Sequence, residues 1–259
     1  MKTDIVSALQ IRELFHLEFL RWFSRRIKPE FYAVKGGTNL RLFFQSFRYS
    51  EDMDIDVQRV PIETLQTVVL DTLGARPFVE NLRGFGIQRI VVPDMLKAKQ
   101  TQTTQRFKIH LITVAGEDLF TKVEFSHRGF KGDIVVQAVC APILRAYKLA
   151  PLLVPHYDIT AAVTQKIDAL ATRTVIQARD IFDLFVLSPQ VESLEISKIR
   201  PEAEKLKKAH QNIFTIEFEQ FRDTVLAYLA PEDQAVYASS AVWDEVKLKT
   251  ANFLEEFQK

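Results

Sequence analysis

Cysteine is almost absent from this chain. The single residue, Cys140, cannot close an intramolecular disulfide, and no Cys/His spacing suits a zinc ion, so the expectation is a reducing compartment without structural zinc. Long apolar runs are also missing: none approaches the roughly 20 residues that a membrane helix needs. The opening MKTDIVSALQIRELF carries an acid at Asp4 and helical spacing where a signal peptide requires an uninterrupted apolar stretch. The reading is therefore cytoplasmic, with no membrane partner. Excess charge is lacking as well. Lys plus Arg total 34 against 33 for Asp plus Glu, so a net charge of +1 exerts no general pull on nucleic acid, and such a partner has to be held by a local patch. What the chain does have is apolar content, 47% of 259 residues, enough for a substantial core.

Periodicity divides the chain near residue 140. Residues 4 to 27 repeat apolar side chains at helical spacing, closed by Pro29. EFYAVKGG reads as a strand ended by glycines, and TNLRLFFQSF as a helix with Thr38 or Asn39 as N-cap. DMDIDV alternates strictly and reads as a strand, PIETLQTVVLDTLGA as a helix stopped by Gly74. Four further β-type runs follow, and from about 143 onward the pattern is helical almost throughout. Residues 1–140 are thus expected to form an α/β core with its N-terminal helix, and 141–259 a helical domain packed on it. The fold class is α+β, a mixed sheet flanked by helices plus a helical C-terminal half.

Within the first part, VKGGTNLRLFFQSFRYSEDMDIDV sets Gly36, Gly37 and Thr38 at a strand-to-helix turn and then gathers Glu51, Asp52, Asp54 and Asp56 within six residues. In a strand, Asp52, Asp54 and Asp56 share one face while Met53, Ile55 and Val57 point to the core. Three like charges on one face mean either an exposed edge strand protected by charge or a face that holds a cation, and carboxylates are the hard ligands Mg²⁺ prefers. The glycine turn favours the second reading. Missing side chains let backbone N–H groups approach an anion at a helix N-terminus, although no Gly-Lys-Ser/Thr follows and the turn is not a Walker A loop.

Downstream, Lys166 falls on or beside the apolar face of its helix, either snorkelling to water or aimed at an anion. Asp180 and Asp183 lie one turn apart in a largely apolar helix; Arg179 to Asp183 is an i, i+4 pair, so intrahelical pairing is one reading and a buried acid needing a cation the other. In KVEFSHR, Glu124 alternates with core residues and is either an exposed strand acid or a third catalytic carboxylate, with Asp180 and Asp183 as substitutes for that role. Basic sets at Arg21, Arg25, Arg26 and Lys28, at Lys97 and Lys99, and at Lys205, Lys207 and Lys208 read as solvated faces unless several converge on one cleft.

Gly-Gly-Thr, a helix, and then Arg48-Tyr49-Ser50-Glu51-Asp52-Met53-Asp54 together resemble the first motif of the AbiEii/AbiGii-type nucleotidyltransferases, toxins of type IV toxin–antitoxin systems within the DNA polymerase β-like superfamily. QKIDALATRTVIQARDIFDLF resembles that family's helical pattern, here Lys166, Ala169, Leu170, Arg173, Arg179, Asp180, Asp183 and Leu184. The resemblance implies a nucleotidyltransferase fold using Mg²⁺ or Mn²⁺ and an NTP, with Asp52, Asp54 and Glu124 as metal ligands. It implies nucleotide contacts from Gly36, Gly37, Thr38, Ser50, Lys166 and Asp180, and catalytic roles for Asp52, Asp54, Glu124, Lys166 and Asp183. It further implies tRNA as acceptor through its 3′ end and a cognate antitoxin encoded alongside. A protein or small-molecule acceptor, or a nucleotide-binding module without turnover, are the competing readings.

Overall fold

The computed structural model describes residues 7–92 and 100–258. The chain forms two compact units, one of residues 1–39 with 49–156, the other of 40–48 with 157–259.

The first unit is built on an eight-stranded mixed sheet: β1 (Tyr32–Lys35), β2 (Asp52–Val57), β3 (Ile87–Val91), β4 (Gln100–Thr101), β5 (Thr104–Thr113), β6 (Asp118–Ser126), β7 (Ile134–Ala138) and β8 (Leu153–Tyr157). Their order is β3-β5-β6-β2-β1-β8-β7, with β4 hydrogen-bonded to β5. β2 runs antiparallel to β1 and parallel to β6, and β5 is antiparallel to β6. Its helices are α1 (Ala8–Phe23), the first half of α2 (Gly36–Phe43), α3 (Ile62–Gly74), α4 (Arg76–Arg83) and α5 (Ala141–Ala146). Ser7 caps α1 in a reciprocal box with Gln10. Helix α1 packs on α3, α4 and β6. Aromatic rings fill that interface: Phe23 lies 5.1 Å from Tyr32 and 5.3 Å from Phe125, centroid to centroid.

The alternation in DMDIDV sets the sheet's two faces. Met53, Ile55 and Val57 are fully buried, whereas Asp52 and Asp54 retain exposure and Asp56 is buried on the same side as those two acids. Two sequence expectations change here. β8 lies inside the stretch read as helical, because LLVPHY is short and Pro155 hides its strand pattern; it pairs in parallel with β1, Val34 opposite His156. Helix α2 begins at Gly36, so the glycines make its first turn and Thr38 is not its cap. The part of the N-terminal helix read before residue 7 lies outside the described residues, as do Lys97 and Lys99.

The second unit is helical, comprising α6 (Ile159–Thr172), α7 (Ala178–Leu187), α8 (Ser193–Ile196), α9 (Ala203–Ile213), α10 (Phe218–Thr224), α11 (Pro231–Tyr237) and α12 (Ser240–Glu255). Asp158 caps α6 by accepting from the Ala161 N–H at 2.8 Å. Helices α6, α7, α9 and α12 enclose one apolar core in which Phe221 stacks on Trp243 at 4.3 Å. The Trp243 indole N–H donates to the Ile216 carbonyl at 3.1 Å, so the largest core side chain leaves no polar atom unpaired. No helix among the described residues is long and apolar enough to cross a membrane.

Candidate active site

Register brings the predicted acids of the first unit together. Parallel pairing places Asp52 beside Lys122, Asp54 beside Glu124 and Asp56 beside Ser126, while β1 sets Lys35 opposite Asp54 and β5 sets Arg106 opposite Glu124. The acidic face is therefore met largely by the protein's own cations. Lys122 Nζ lies 2.8 Å from Asp52, Lys35 Nζ 2.5 Å from Asp56, and Arg106 holds Glu124 at 2.6 and 2.7 Å. Of the strand's three acids, Asp54 alone has no cation in direct contact among the described residues. Burial pushes its carboxyl above the usual range; Lys122 and Lys35 act against this from a distance, Glu124 and Asp52 with it.

Two anchors fix the start of β2. The hydroxyls of Thr38 and Ser50 both donate to the Asp52 carbonyl, at 2.9 and 2.7 Å. One residue earlier, buried Thr121 donates to the Glu51 carbonyl at 2.7 Å and in turn lies 2.9 Å from His16 Nε2. The Thr121 proton is committed to Glu51, so His16 donates through Nε2–H. Burial first, and Arg12 second, push its pKa down to about 3. A base with a depressed folded pKa adds no pH dependence above the unfolded value near 6.5. As pH falls from there toward 3, the unfolded chain takes a proton the folded chain refuses, and stability is lost. Urea titrations at pH 7.5 and 5 are expected to show His16→Gln losing less stability than the wild type between the two, since the Gln amide keeps the donor without the titration. An equal loss in both would place the acid sensitivity elsewhere.

Gly36 closes the site from the β1 side. Its φ is +66°, and a Cβ there would lie 3.1 Å from Asp54 Oδ2. Gly36→Ala is accordingly expected to cost about 1 kcal/mol and to displace the Asp54 carboxylate, weakening NTP binding; a variant with unchanged melting and unchanged NTP affinity would remove the turn from the site.

In the second unit Lys166, Asp180 and Asp183 form one buried network, together with two arginines. Lys166 Nζ lies 2.8 Å from Asp180 and 2.6 Å from Asp183. Arg48 grips Asp183 with both ends of its fork at 3.0 to 3.1 Å. Arg173 approaches Asp180 Oδ2 to 3.2 Å, but off-line, so that buried oxygen receives no hydrogen bond. Burial alone would raise the Asp183 carboxyl; Arg48 and Lys166 outweigh it and hold it below the ordinary range. The reading of Lys166 as a snorkelling side chain is thus overturned, because its ammonium is only 9% exposed as a residue and spans two carboxylates. Intrahelical pairing with Arg179 is overturned too: Arg179 is exposed, and Asp183 turns to Arg48 and Lys166.

Sequence reasoning did not pair Lys35, Lys122 and Arg106 with the acids of this face. For Arg106 and Lys122 the signal was the same alternation that marked the acids, in RFKIH and TKVEF. Of the basic residues it did name, Arg21 is spent on Glu18 and the Ala150 carbonyl, Arg26 on Asp71, and Lys205 on Glu202 and Asp168. No group of three or more His, Cys, Asp or Glu placed to hold a metal ion occurs among the described residues, since Asp52 and Glu124 are engaged by protein cations instead. The donor chemistry nonetheless fits a hard divalent cation: oxygen ligands only, with Asp54 held as a half-buried carboxyl beside Asp52 and Glu124.

The family model "Nucleotidyl transferase AbiEii toxin, Type IV TA system" matches residues 18–245. Among solved structures, the chain is similar to MenT4, a nucleotidyltransferase toxin from Mycobacterium tuberculosis H37Rv, with a TM-score of 0.66 at 18% identity over 96% of this chain and 84% of that one. It is also similar to JHP933 from Helicobacter pylori, with a TM-score of 0.56 at 19% identity over 95% and 93%. At these identities the likeness is one of fold. No curated protein matches the sequence.

Proposed function

Because the chain belongs to the AbiEii nucleotidyltransferase toxin family of type IV toxin–antitoxin systems, and is a nucleotidyltransferase with an NTP substrate and a cognate antitoxin, we propose that it transfers a nucleoside monophosphate to a tRNA 3′ hydroxyl and so stops translation and growth. The observation that carries this reading is Asp54: a carboxylate at the centre of the row Lys35–Asp54–Glu124–Arg106, beside a glycine whose missing side chain leaves room against it.

In the reaction the acceptor oxygen bonds to the α-phosphorus, the bond from that phosphorus to the bridging oxygen breaks, and pyrophosphate leaves with the displaced electron pair. Asp52, Asp54 and Glu124 would hold Mg²⁺, which when bound supplies charge neutralisation at the phosphates. Gly36, Gly37, Thr38 and Ser50 line the triphosphate's side of the strand. Glu124, steadied by Arg106, receives the acceptor's proton. Lys166, Asp180 and Asp183 are assigned to the same chemistry by the family pattern, Lys166 as the cation that neutralises developing charge.

Incubation with each NTP and total RNA tests the acceptor. Label is expected in tRNA with intact 3′ ends and lost when those ends are oxidised by periodate; label that persists after oxidation, or enters only protein, would overturn the assignment.

A further inference from the structure

Helix α2 ends on a residue its backbone does not favour. The Ser46 N–H returns to the Leu40 carbonyl at 3.1 Å, and Gln45 just before it has φ +52°, the left-handed position that glycine usually fills. A glutamine there carries strain that glycine would relieve, and its amide forms no hydrogen bond among the described residues. Gln45 lines a cavity of about 470 Å³ in the second unit. The cavity's other walls are largely aromatic. Phe47 and Tyr237 stack with centroids 5.5 Å apart and planes 19° from parallel, and Phe182 meets both edge-on from the core at 5.3 and 5.4 Å. Phe185 stands at 78° to Tyr237. The lining rings are half-buried, so flat apolar surface is fixed by packing and left open. Gln190 adds a fixed acceptor: its amide N–H groups donate to the Phe44 and Val186 carbonyls at 2.8 and 2.9 Å, which leaves Oε1 without a donor among the described residues.

These groups select the ligand. Aromatic faces accept any flat ring, but a fixed acceptor and a free amide gain nothing from an apolar side chain and suit the hydrogen-bonding edge of a nucleobase. A triphosphate is disfavoured, because Lys249, the cation on the cavity wall, is already paired with Glu245 at 2.7 Å. The base therefore belongs to a strand and not to the free nucleotide. Oε1 of Gln190 calls for a donor, which points to a base with an exocyclic amine. The cavity also shares its segments with the buried network: Phe47 precedes Arg48, and Phe185 follows Asp183 by two residues. We propose that it holds an unstacked base of the acceptor RNA, with Gln45 and Gln190 reading the amino-bearing edge. This assignment rests on the transfer reading above.

The test uses the full-length protein with fluorescent single-stranded oligocytidylate and oligouridylate, whose bases differ at one edge by an amine against a carbonyl. Wild type should bind oligocytidylate about fivefold more tightly, the scale of one hydrogen bond. Gln45→Gly should weaken oligocytidylate binding by about fivefold. Its Tm should stay equal or rise, because the left-handed strain is relieved. NTP affinity, measured by dialysis with Mg²⁺, should hold. An oligocytidylate carrying one iodocytidine, irradiated in the complex, should cross-link to Phe47, Phe185 or Tyr237. In a protein that still labels RNA, cross-links wholly outside the cavity, equal affinity for the two oligonucleotides, or wild-type RNA binding by Gln45→Gly would overturn the base site and leave the transfer reading standing. An equal loss of NTP affinity in Gln45→Gly would assign the cavity to the free nucleotide and overturn it as well. A wild type that neither binds nor labels RNA would remove the transfer reading, and the base site with it.

Discussion

Asp54→Asn is expected to reduce nucleotidyl transfer by about 10²-fold or more, the scale of removing one preorganised electrostatic group, while making the metal-free protein more stable. Asparagine keeps the shape of the side chain and deletes a charge that burial, Glu124 and Asp52 all disfavour. The folded pKa lies above the unfolded value, so the folded site works against ionisation of this carboxyl. That penalty appears as pH rises through the unfolded carboxylate value toward the folded one, and it is absent in more acid solution. The gain in Tm from Asp54→Asn should therefore be present at pH 7 in EDTA and shrink below about pH 4. Asp52→Asn is the contrast, because it strips the partner from Lys122 at 2.8 Å and should show no such gain. A fall in metal-free Tm for Asp54→Asn would make this carboxylate structural. Loss of activity with gain of stability is the signature of a site held in an unfavourable state for use.

Lys166→Met is expected to act through both stability and chemistry. Methionine fills the volume of the stem, yet it leaves Asp180 with only the off-line Arg173 and Asp183 with Arg48 alone, both carboxylates being fully buried. Breaking a buried pair from one side costs about 3–5 kcal/mol. The loss should be greatest at neutral pH. Asp183 has a depressed folded pKa, so its contribution is present above the ordinary carboxylate range and fades as pH falls through it. Pairing the change with Asp180→Asn removes one stranded charge and should recover part of the stability. Transfer should remain at least about 10²-fold down in the double variant at temperatures where it is folded, because the missing cation is not replaced. Denaturant titration and label transfer on the same samples separate the two effects; recovery of transfer along with stability would reduce Lys166 to a strut between α6 and α7.

How much of this the sequence disclosed follows from the range of each interaction. DMDIDV declared its strand and both its faces because alternation is local, and β2 spans Asp52–Val57 as read. The cations on those acids were hidden. Lys122 is 70 residues from Asp52, and Arg106 meets Glu124 only through the β5–β6 register. Arg48 and Asp183 are 135 residues apart, and no pattern in either segment announces their pairing. Thr38 looked like a cap from its place after two glycines; its hydroxyl goes instead to the Asp52 carbonyl, a contact set by tertiary packing. Family resemblance supplied Lys166, Asp180 and Asp183 as a group, and the second unit does bring those three together.

The most direct measurement follows the phosphorus. Purified wild type is given Mg²⁺, tRNA and an NTP labelled in parallel samples at the α- or the γ-phosphate. The account predicts that α-label becomes fixed in RNA, that γ-label leaves as pyrophosphate in equal amount, and that Asp54→Asn does neither. Label from the γ-position appearing in an acceptor, or pyrophosphate release that Asp54→Asn leaves intact, would contradict it.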